Sequence, residues 1–441
     1  MATNAQWQSL AGGLVHQVKD MELSTDSQSL IFAGSFKYTA IDSLLANGIA
    51  KWDGVAWSID GFGGGSGDTL GTGNLFMSFA LFRDTLFAGV LTDHFQYHPE
   101  WQLGAGLYNN EWFAIGNPEN WFYVMTVNER LFSGGRADTL YGQFMPGIRE
   151  WVDGAWHPVP GCPLDETGTY YCATWWHDTY WFAGSFISGG ARSVIAYDGE
   201  DQWTPNWGPG GGWINSIAGF GDSLYVGGWY PPGSDSESPF IQLWDGSDWR
   251  PFFAEVLQFY DQIYDLEVYD GALYASGLFH FLDDPNTRYN LLRFDGQHLC
   301  AIGGPNPESS NGVIAFFQGD LYMATTYLFP GLVGEHVGRL PLDGLVPDRC
   351  LEVTTSTPEE TSLQGLRLFP NPTNEVLIVS GLADLYNAKV QVIDVLGREL
   401  TSPTPITTAA TSVDVSGLEA GTYRLRVVSG SRTETRSFIK L

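Results

Sequence analysis

The chain has 441 residues, 44% of them hydrophobic and 15% aromatic, which exceeds one ordinary domain and is ample for a sizeable core. Its formal net charge of −29 repels phosphate backbones and anionic lipid surfaces alike, which excludes nucleic acid and charged membranes as partners. No apolar run approaches the roughly 18 residues that a membrane span needs, so no transmembrane segment is predicted.

The start, Met1-Ala2-Thr3-Asn4, carries no charged region followed by an apolar run. The first predicted element is a strand at residues 6–13, Gln-Trp-Gln-Ser-Leu-Ala-Gly-Gly. It looks like the outer strand of a repeat that begins further on. An apolar-aromatic-small-Gly phrase recurs with first residues Ile31, Leu86, Leu131, Trp181 and Leu224, and more loosely Leu273 and Leu321. Seven copies at a period of about 48 residues are the signature of an array. A second phrase follows each copy, an apolar residue, Asp-Gly and usually Trp, as in Trp52-Asp53-Gly54 with Trp57 and Val152-Asp153-Gly154 with Trp156. The second copy keeps the turn chemistry with Asn109-Asn110 before Trp112. Asp-Gly and Asn-Asn tolerate positive φ, so each unit ends in a tight hairpin.

Each unit also begins with two strands, which makes four per unit and predicts a propeller blade. Glycines of the first phrase are expected where inner strands leave little side-chain room, and the tryptophans are expected to pack between blades. The seventh unit has its Asp343-Gly344 turn but no following Trp strand. The N-terminal strand supplies the missing one and closes the ring. The expected fold is therefore all-β: a seven-bladed β-propeller over 1–350, a polar linker over 351–362, and a small β-sandwich over 363–441. Charge changes at the same boundary. Residues 1–350 carry 13 Lys/Arg against 40 Asp/Glu, whereas 363–441 carry 8 against 7.

The phrases over 30–61 and 181–203 resemble the Gly-rich propeller repeats of secreted bacterial proteins, akin to kelch and galactose-oxidase-like propellers. That likeness speaks for fold and not for activity. The C-terminal resemblance is sharper. Leu368-Phe369-Pro370-Asn371-Pro372, Val392-Ile393-Asp394-Val395-Leu396-Gly397-Arg398, Leu418-Glu419-Ala420-Gly421-Thr422-Tyr423 and Phe438-Ile439-Lys440 follow in the order and spacing of the type A sorting domain of type IX secretion. The resemblance implies an Ig-like sandwich, passage through the periplasm, recognition by the type IX machinery, and a final place on the cell surface or in the medium. Pro370, Asn371, Pro372, Asp394, Gly397, Gly421, Tyr423 and Lys440 are its landmarks here. The resemblance also implies a removed N-terminal leader and cleavage in or near 351–366. In such a compartment the four cysteines, Cys162, Cys172, Cys300 and Cys350, are expected to form two disulfides, with three connectivities open.

Function is expected on the blade face that carries the long connections: 35–48, 61–75, 90–105, 135–147, 228–239 and 278–290. Their aromatic residues, Trp101, Trp121, Trp207, Trp213, Trp229 and Tyr230 foremost, suit stacking on sugar rings or gripping a protein ligand. Tyr38, Phe95 and Tyr97 add to them, with Asp93, Glu100 and Asp235 among the acids. Asp283 and Asp284 are candidates for calcium, though the ligand spacing of a helix-loop-helix calcium site is absent. His94-Phe95-Gln96-Tyr97-His98 has metal-like spacing only on a helix, and no nucleophile elbow or phosphate loop occurs. The expectation is a non-catalytic binding module without cofactor, the alternative a polysaccharide-acting hydrolase or lyase.

Overall fold

The computed structural model describes residues 7–440 except 15, 37–38, 40–45, 47, 60–75, 91–103, 110, 117–121, 164–167, 189–190, 209–212, 230–240, 247, 260–262, 307–311, 326–331, 333–334, 353–366, 370–372, 381–388, 394–397, 399, 402–403, 406–409, 420 and 430–431. Every regular element among the described residues is a β-strand. The chain divides into two compact units, Met1–Glu352 and Val353–Leu441.

In the first unit, sheets of consecutive antiparallel strands follow one another along the chain. The opening strands of seven of them are Val18–Leu23, Phe76–Phe82, Phe122–Val127, Thr169–Trp176, Trp213–Phe220, Asp265–Tyr269 and Gly312–Phe317. The sixth also takes the earlier strand Leu257–Phe259 alongside Ala272–Phe281. Each opening strand packs on the corresponding strand of the next sheet, and Gly312–Phe317 packs back on Val18–Leu23. The succession is therefore closed, and the fold is propeller-like. The apolar phrase of each repeat faces the neighbouring sheet. Phe32, Trp52 and Trp57 of the first sheet share a core with Phe317 and Tyr322 of the seventh, and Phe87 of the second shares one with Leu131 and Trp156 of the third. Trp156 is 1% exposed. Burying an aromatic side chain of that size contributes roughly 4–6 kcal/mol at about 25 cal/mol per Å².

The Asp-Gly phrase has two uses. Asp153 and Gly154 both take positive φ, 49° and 83°, as a tight two-residue hairpin requires. In the first sheet the aspartate instead caps the turn: Asp53 Oδ1 accepts from the backbone N–H of Val55 and of Ala56, each at 2.8 Å, while Gly54 alone carries positive φ. The inner glycines also have a local cause. A β-bulge after Val18 pushes the Gln17 carbonyl over Gly34, where any Cβ would collide with it, and the bulge after Tyr170 does the same at Gly184.

Three strands of the seventh sheet come from its own repeat, Gly312–Phe317, Asp320–Thr325 and Val337–Pro341. The outer edge is taken by the N-terminal segment. Gln8 N donates to Arg339 O at 2.8 Å and Arg339 N donates back to Gln8 O at 3.0 Å. Around this pair, Trp7 Nε1 donates to Gly303 O at 2.7 Å and Trp57 Nε1 donates to Leu10 O at 2.6 Å. The segment is thus tied to the first, sixth and seventh sheets together.

Strand Arg349–Glu352 adds to the outer edge of the sixth sheet beside His298–Ile302, and a Cys300–Cys350 disulfide joins the two. The expected second disulfide is corrected: Cys162 and Cys172 are free. The reason is their placement. Cys162 packs on the core between the third and fourth sheets, Cys172 on the core between the fourth and fifth. Burial pushes the Cys162 thiol up to about 12, so it stays protonated. Residues 278–290, expected as a long loop, continue a hairpin instead, Ala272–Phe281 against Asp284–Phe294.

The second unit has two sheets around one core. Arg367–Phe369, Val376–Ser380 and Ala410–Asp414 form one; Thr404–Pro405, Lys389–Ile393, Gly421–Ser429 and Arg432–Lys440 form the other. Leu377, Val379, Val390, Val392, Val413, Leu425, Val427 and Phe438 fill the space between them.

The Cys300–Cys350 bond closes a loop of 50 residues that contains the three strands the seventh repeat itself supplies. Loop-closure entropy puts its contribution near ~4 kcal/mol. The C300S/C350S double variant is expected to unfold at lower denaturant than the parent, and reductant is expected to reproduce that shift in the parent but not in the variant.

Candidate functional site

The strands that open the seven sheets converge on a cavity of about 820 Å³. Each presents a free edge there, with backbone N–H groups that no further strand can take. Side chains of the preceding sheet take several of them. Phe79 N donates to Asp20 Oδ2 at 2.6 Å, Val124 N to Ser78 Oγ at 2.9 Å, Leu266 N to Ser216 Oγ at 3.0 Å, and Ile314 N to Asp265 Oδ2 at 2.9 Å. Ser216 Oγ also donates to Asp265 Oδ1 at 3.1 Å. These clasps staple one sheet to the next around the axis.

Four carboxylates line the cavity: Asp20 and Glu22 on Val18–Leu23, Asp265 and Glu267 on Asp265–Tyr269. Residues two apart on a strand point to one side, so each pair projects together. Withdrawal from bulk water pushes all four up, and like charge adds to it at two, Asp20 and Glu267. Asp20 is raised well above its ordinary value by burial and then by Glu22, against the amide bonds it accepts. Glu22 is raised to about 7 by burial, partly offset by the Leu81 and Leu23 amides. Asp265 is raised to about 6 by burial, offset by the Ile314, Ser216 and Leu266 bonds. Glu267, exposed to solvent within the cavity, is raised above its ordinary value by the crowding of protein atoms around it and then by repulsion from Asp265, Glu22 and Asp20. Lys19 and Arg136 line the same cavity, with Tyr123 and Tyr171 edge to face at 5.2 Å between centroids.

Among the expected ligand-binding residues, the structure brings Trp213 and Trp229 together. They are partners across the fifth sheet, with ring centroids 5.2 Å apart. Trp213 opens its strand, lines the cavity and is 51% exposed. Trp207 ends the neighbouring strand Trp203–Trp207. Trp101, Trp121 and Tyr230 lie outside the described residues, as do Tyr38, Asp93, Phe95, Tyr97, Glu100, Asp235 and the His94–His98 segment. Asp283 and Asp284 lie beside a guanidinium: Arg349 pairs with Asp283 and stands 3.9 Å from Asp284 while lying over the Phe281 ring. That cation stands where Asp283 and Asp284 were candidates for calcium. Among the described residues no group of three or more His, Cys, Asp or Glu is arranged to hold a metal.

The sequence reading missed Asp20, Glu22, Asp265 and Glu267. A signal was present: Asp20-Met21-Glu22 and Asp265-Leu266-Glu267 repeat one Asp-apolar-Glu pattern on two strands of the same rank in their repeats.

In the second unit, three sorting landmarks meet at one end. Gly421 is the ladder partner of the buried Lys440, and Tyr423 is that of Phe438, on which its ring stacks at 5.9 Å. Tyr423 Oη donates to Glu419 O at 3.0 Å, and Thr373 N donates to Ile439 O at 2.8 Å, which ties the two sheets together. Pro370, Asn371, Pro372, Asp394 and Gly397 lie outside the described residues. Residues 367–441 match the family described as the secretion system C-terminal sorting domain. The C-terminal unit is a sorting domain. It marks the protein for export by the type IX system to the cell surface or the extracellular space. Among the described residues no helix is long and apolar enough to cross a membrane.

A search of the curated proteins gave no match. Similar solved structures include the extracellular domain of a putative one-component system from B. thetaiotaomicron, at 10% identity and TM-score 0.31, covering 100% of this chain and 60% of that one. A GH74 enzyme from Niastella koreensis is similar at 11% identity and TM-score 0.34, covering 98% and 74%. A GH74 xyloglucanase from Xanthomonas campestris follows at 10% and 0.32, covering 98% and 87%. This chain thus spans about 60% of the length of the first of these.

A carboxyl whose folded value is raised stabilises the fold below its unfolded value and loses that contribution as pH rises through the folded one. For Glu22 the window runs from 4.5 to about 7, for Asp265 from 3.8 to about 6. Thermal stability is therefore expected to fall between about pH 4 and 7, and Glu22→Gln is expected to flatten that fall, as read by calorimetry at the two pH values.

Proposed function

We propose that the protein is an exported seven-bladed β-propeller, closed by its N-terminal strand and followed by an Ig-like sorting sandwich, that binds a glycan at the mouth of its axial cavity. The closed succession of opening strands and the Gln8–Arg339 pair support the architecture. The observation that carries the binding reading is Trp213, half exposed at the cavity rim and backed by Trp229. An open indole face takes the C–H face of a sugar ring, while the carboxyl groups below it offer acceptors, and in protonated form donors, to hydroxyls. Residues on this unit bind; the sorting domain delivers them.

A second reading, a polysaccharide-acting enzyme, is favoured by Glu22 and Glu267. Both stand in the cavity raised above their ordinary values, and Glu22, at about 7, suits a general acid near neutral pH. Asp20 and Asp265 are committed to clasping backbone amides and fit that role less well.

A glycan-array screen of the full chain, with product analysis of every hit, separates the two. Trp213→Ala is expected to weaken the hit by about tenfold or more, the scale of an aromatic hot spot, with an unchanged melting temperature. Intact glycan recovered after long incubation supports binding. Shortened products that vanish in Glu267→Gln would instead establish the enzyme, and an unaltered affinity in Trp213→Ala would remove the rim reading.

A further inference from the structure

At several junctions between sheets, a long side chain of one sheet reaches the hairpin turn of the next. Arg130 Nη1 donates to Gly199 O at 3.0 Å between the third and fourth sheets, and Trp176 Nε1 donates to Gly221 O at 3.2 Å between the fourth and fifth. Gln318 Nε2 donates to Asp53 O at 3.4 Å between the seventh and first. The junction between the second and third sheets differs. Thr85-Leu86-Phe87-Ala88-Gly89 and Arg130-Leu131-Phe132-Ser133-Gly134 are the same phrase, so Thr85 stands where the next repeat has Arg130. A threonine is too short to cross. Gly154, in the turn that corresponds to Gly199, has nothing within 4 Å of where a Cβ would lie, whereas the same position at Gly199 meets Arg130 Nη1 at 3.5 Å.

Two adjoining cavities of about 400 and 470 Å³ occupy the vacated space and share Thr85, Phe87, Trp151 and Gly154. That size is in the range of small-ligand sites. Their floor is aromatic: Phe87 lies edge to face with Trp151 at 5.2 Å and with Phe113 at 6.3 Å. Tyr108 stands half exposed at the rim. The rim also carries unlike polar groups. Arg83, its guanidinium over the Phe82 ring at 4.9 Å, offers only donors, and the exposed Glu111 offers only acceptors. The Arg130 guanidinium in the wall is already engaged, bidentate with Glu150 at 2.6 and 2.5 Å.

We propose that this groove is a second saccharide site, separate from the axial cavity. A pyranose ring has an apolar C–H face for the aromatic floor and hydroxyls that both give and accept hydrogen bonds at the rim. An anionic ligand is disfavoured by Glu111, Glu129, Glu150 and Asp153 around the opening. A purely apolar ligand makes no use of Arg83 and Glu111.

The test uses the full chain and neutral hexaoses of glucose, xylose, mannose or galactose, read by titration calorimetry. Thr85→Arg fills the groove as Arg130 fills the next junction. It is expected to cut hexaose affinity at this site by about tenfold or more with the melting temperature unchanged. Tyr108→Ala weakens the same binding without disturbing the core, and Trp213→Ala leaves it intact. Survival of that pattern when Trp213→Ala has no effect of its own would establish the groove even if the axial reading fails. No hexaose binding in the parent, or binding that Thr85→Arg spares, overturns the proposal, and so does binding confined to apolar dyes that hexaoses do not displace.

Discussion

Sheets that meet edge-on around an axis cannot all end in satisfied strands. The opening strand of each has one side paired to its own sheet and the other facing the cavity, and an unpaired buried amide costs on the order of 1–3 kcal/mol. Asp20, Ser78, Ser216 and Asp265 answer that constraint at four junctions, each taking an N–H of the next sheet. The same bonds fix how far each sheet sits from its neighbour, hence the width of the cavity and the position of Trp213 at its rim. Bulges beside the clasps, before Asp20, Ser78 and Ser216, turn the side chains toward the next strand, and two of those bulges dictate glycine across the ladder at Gly34 and Gly228.

Much of this architecture is written in the sequence because it is periodic. Hairpin turns and aromatic phrases repeat often enough that one copy interprets another; of the strand expected over 6–13 the structure keeps only the bridge from Gln8 to Arg339, with turns after it. The cysteines were legible only by half. Cys300 and Cys350 sit directly opposite on paired strands, a relation created by an added edge strand on the six-stranded sixth sheet that no repeat announces. Cys162 and Cys172 are near in sequence but are turned into different cores. The axial carboxylates escaped for a related reason. They lie inside regular strands, where period-two patterning reads a polar residue as solvent-facing, whereas the solvent here is an enclosed cavity.

Export belongs to the second unit, and the binding proposed above would fall to the first. The three described landmarks of the sorting domain meet at its last strand: Lys440 is buried opposite Gly421 and Tyr423 stacks on Phe438, while Thr373 bonds to Ile439 beside them. Its near-balanced charge contrasts with the acidic unit that it delivers. On that first unit the disulfide anchors the strand just before residue 353, so the clasped sheets hold together independently of the sorting domain.

The chemistry of the clasps also separates structural from functional acids. Ser78 and Ser216 cap strand amides with neutral hydroxyls, so the task does not require charge. Asp20 and Asp265 perform it at the cost of desolvation, and Glu22 and Glu267 add two further acids to the same narrow space, where Glu22 raises both Asp20 and Glu267. Stapling alone would be served by serine at every junction, with no repulsion across the axis. Acids held at raised values in a cavity that an exposed indole also lines instead offer a mixed set of donors and acceptors, and their protonation sets how many of each there are. Ligand affinity at the axial mouth should then follow the same pH window as stability, because one set of carboxyl groups governs both.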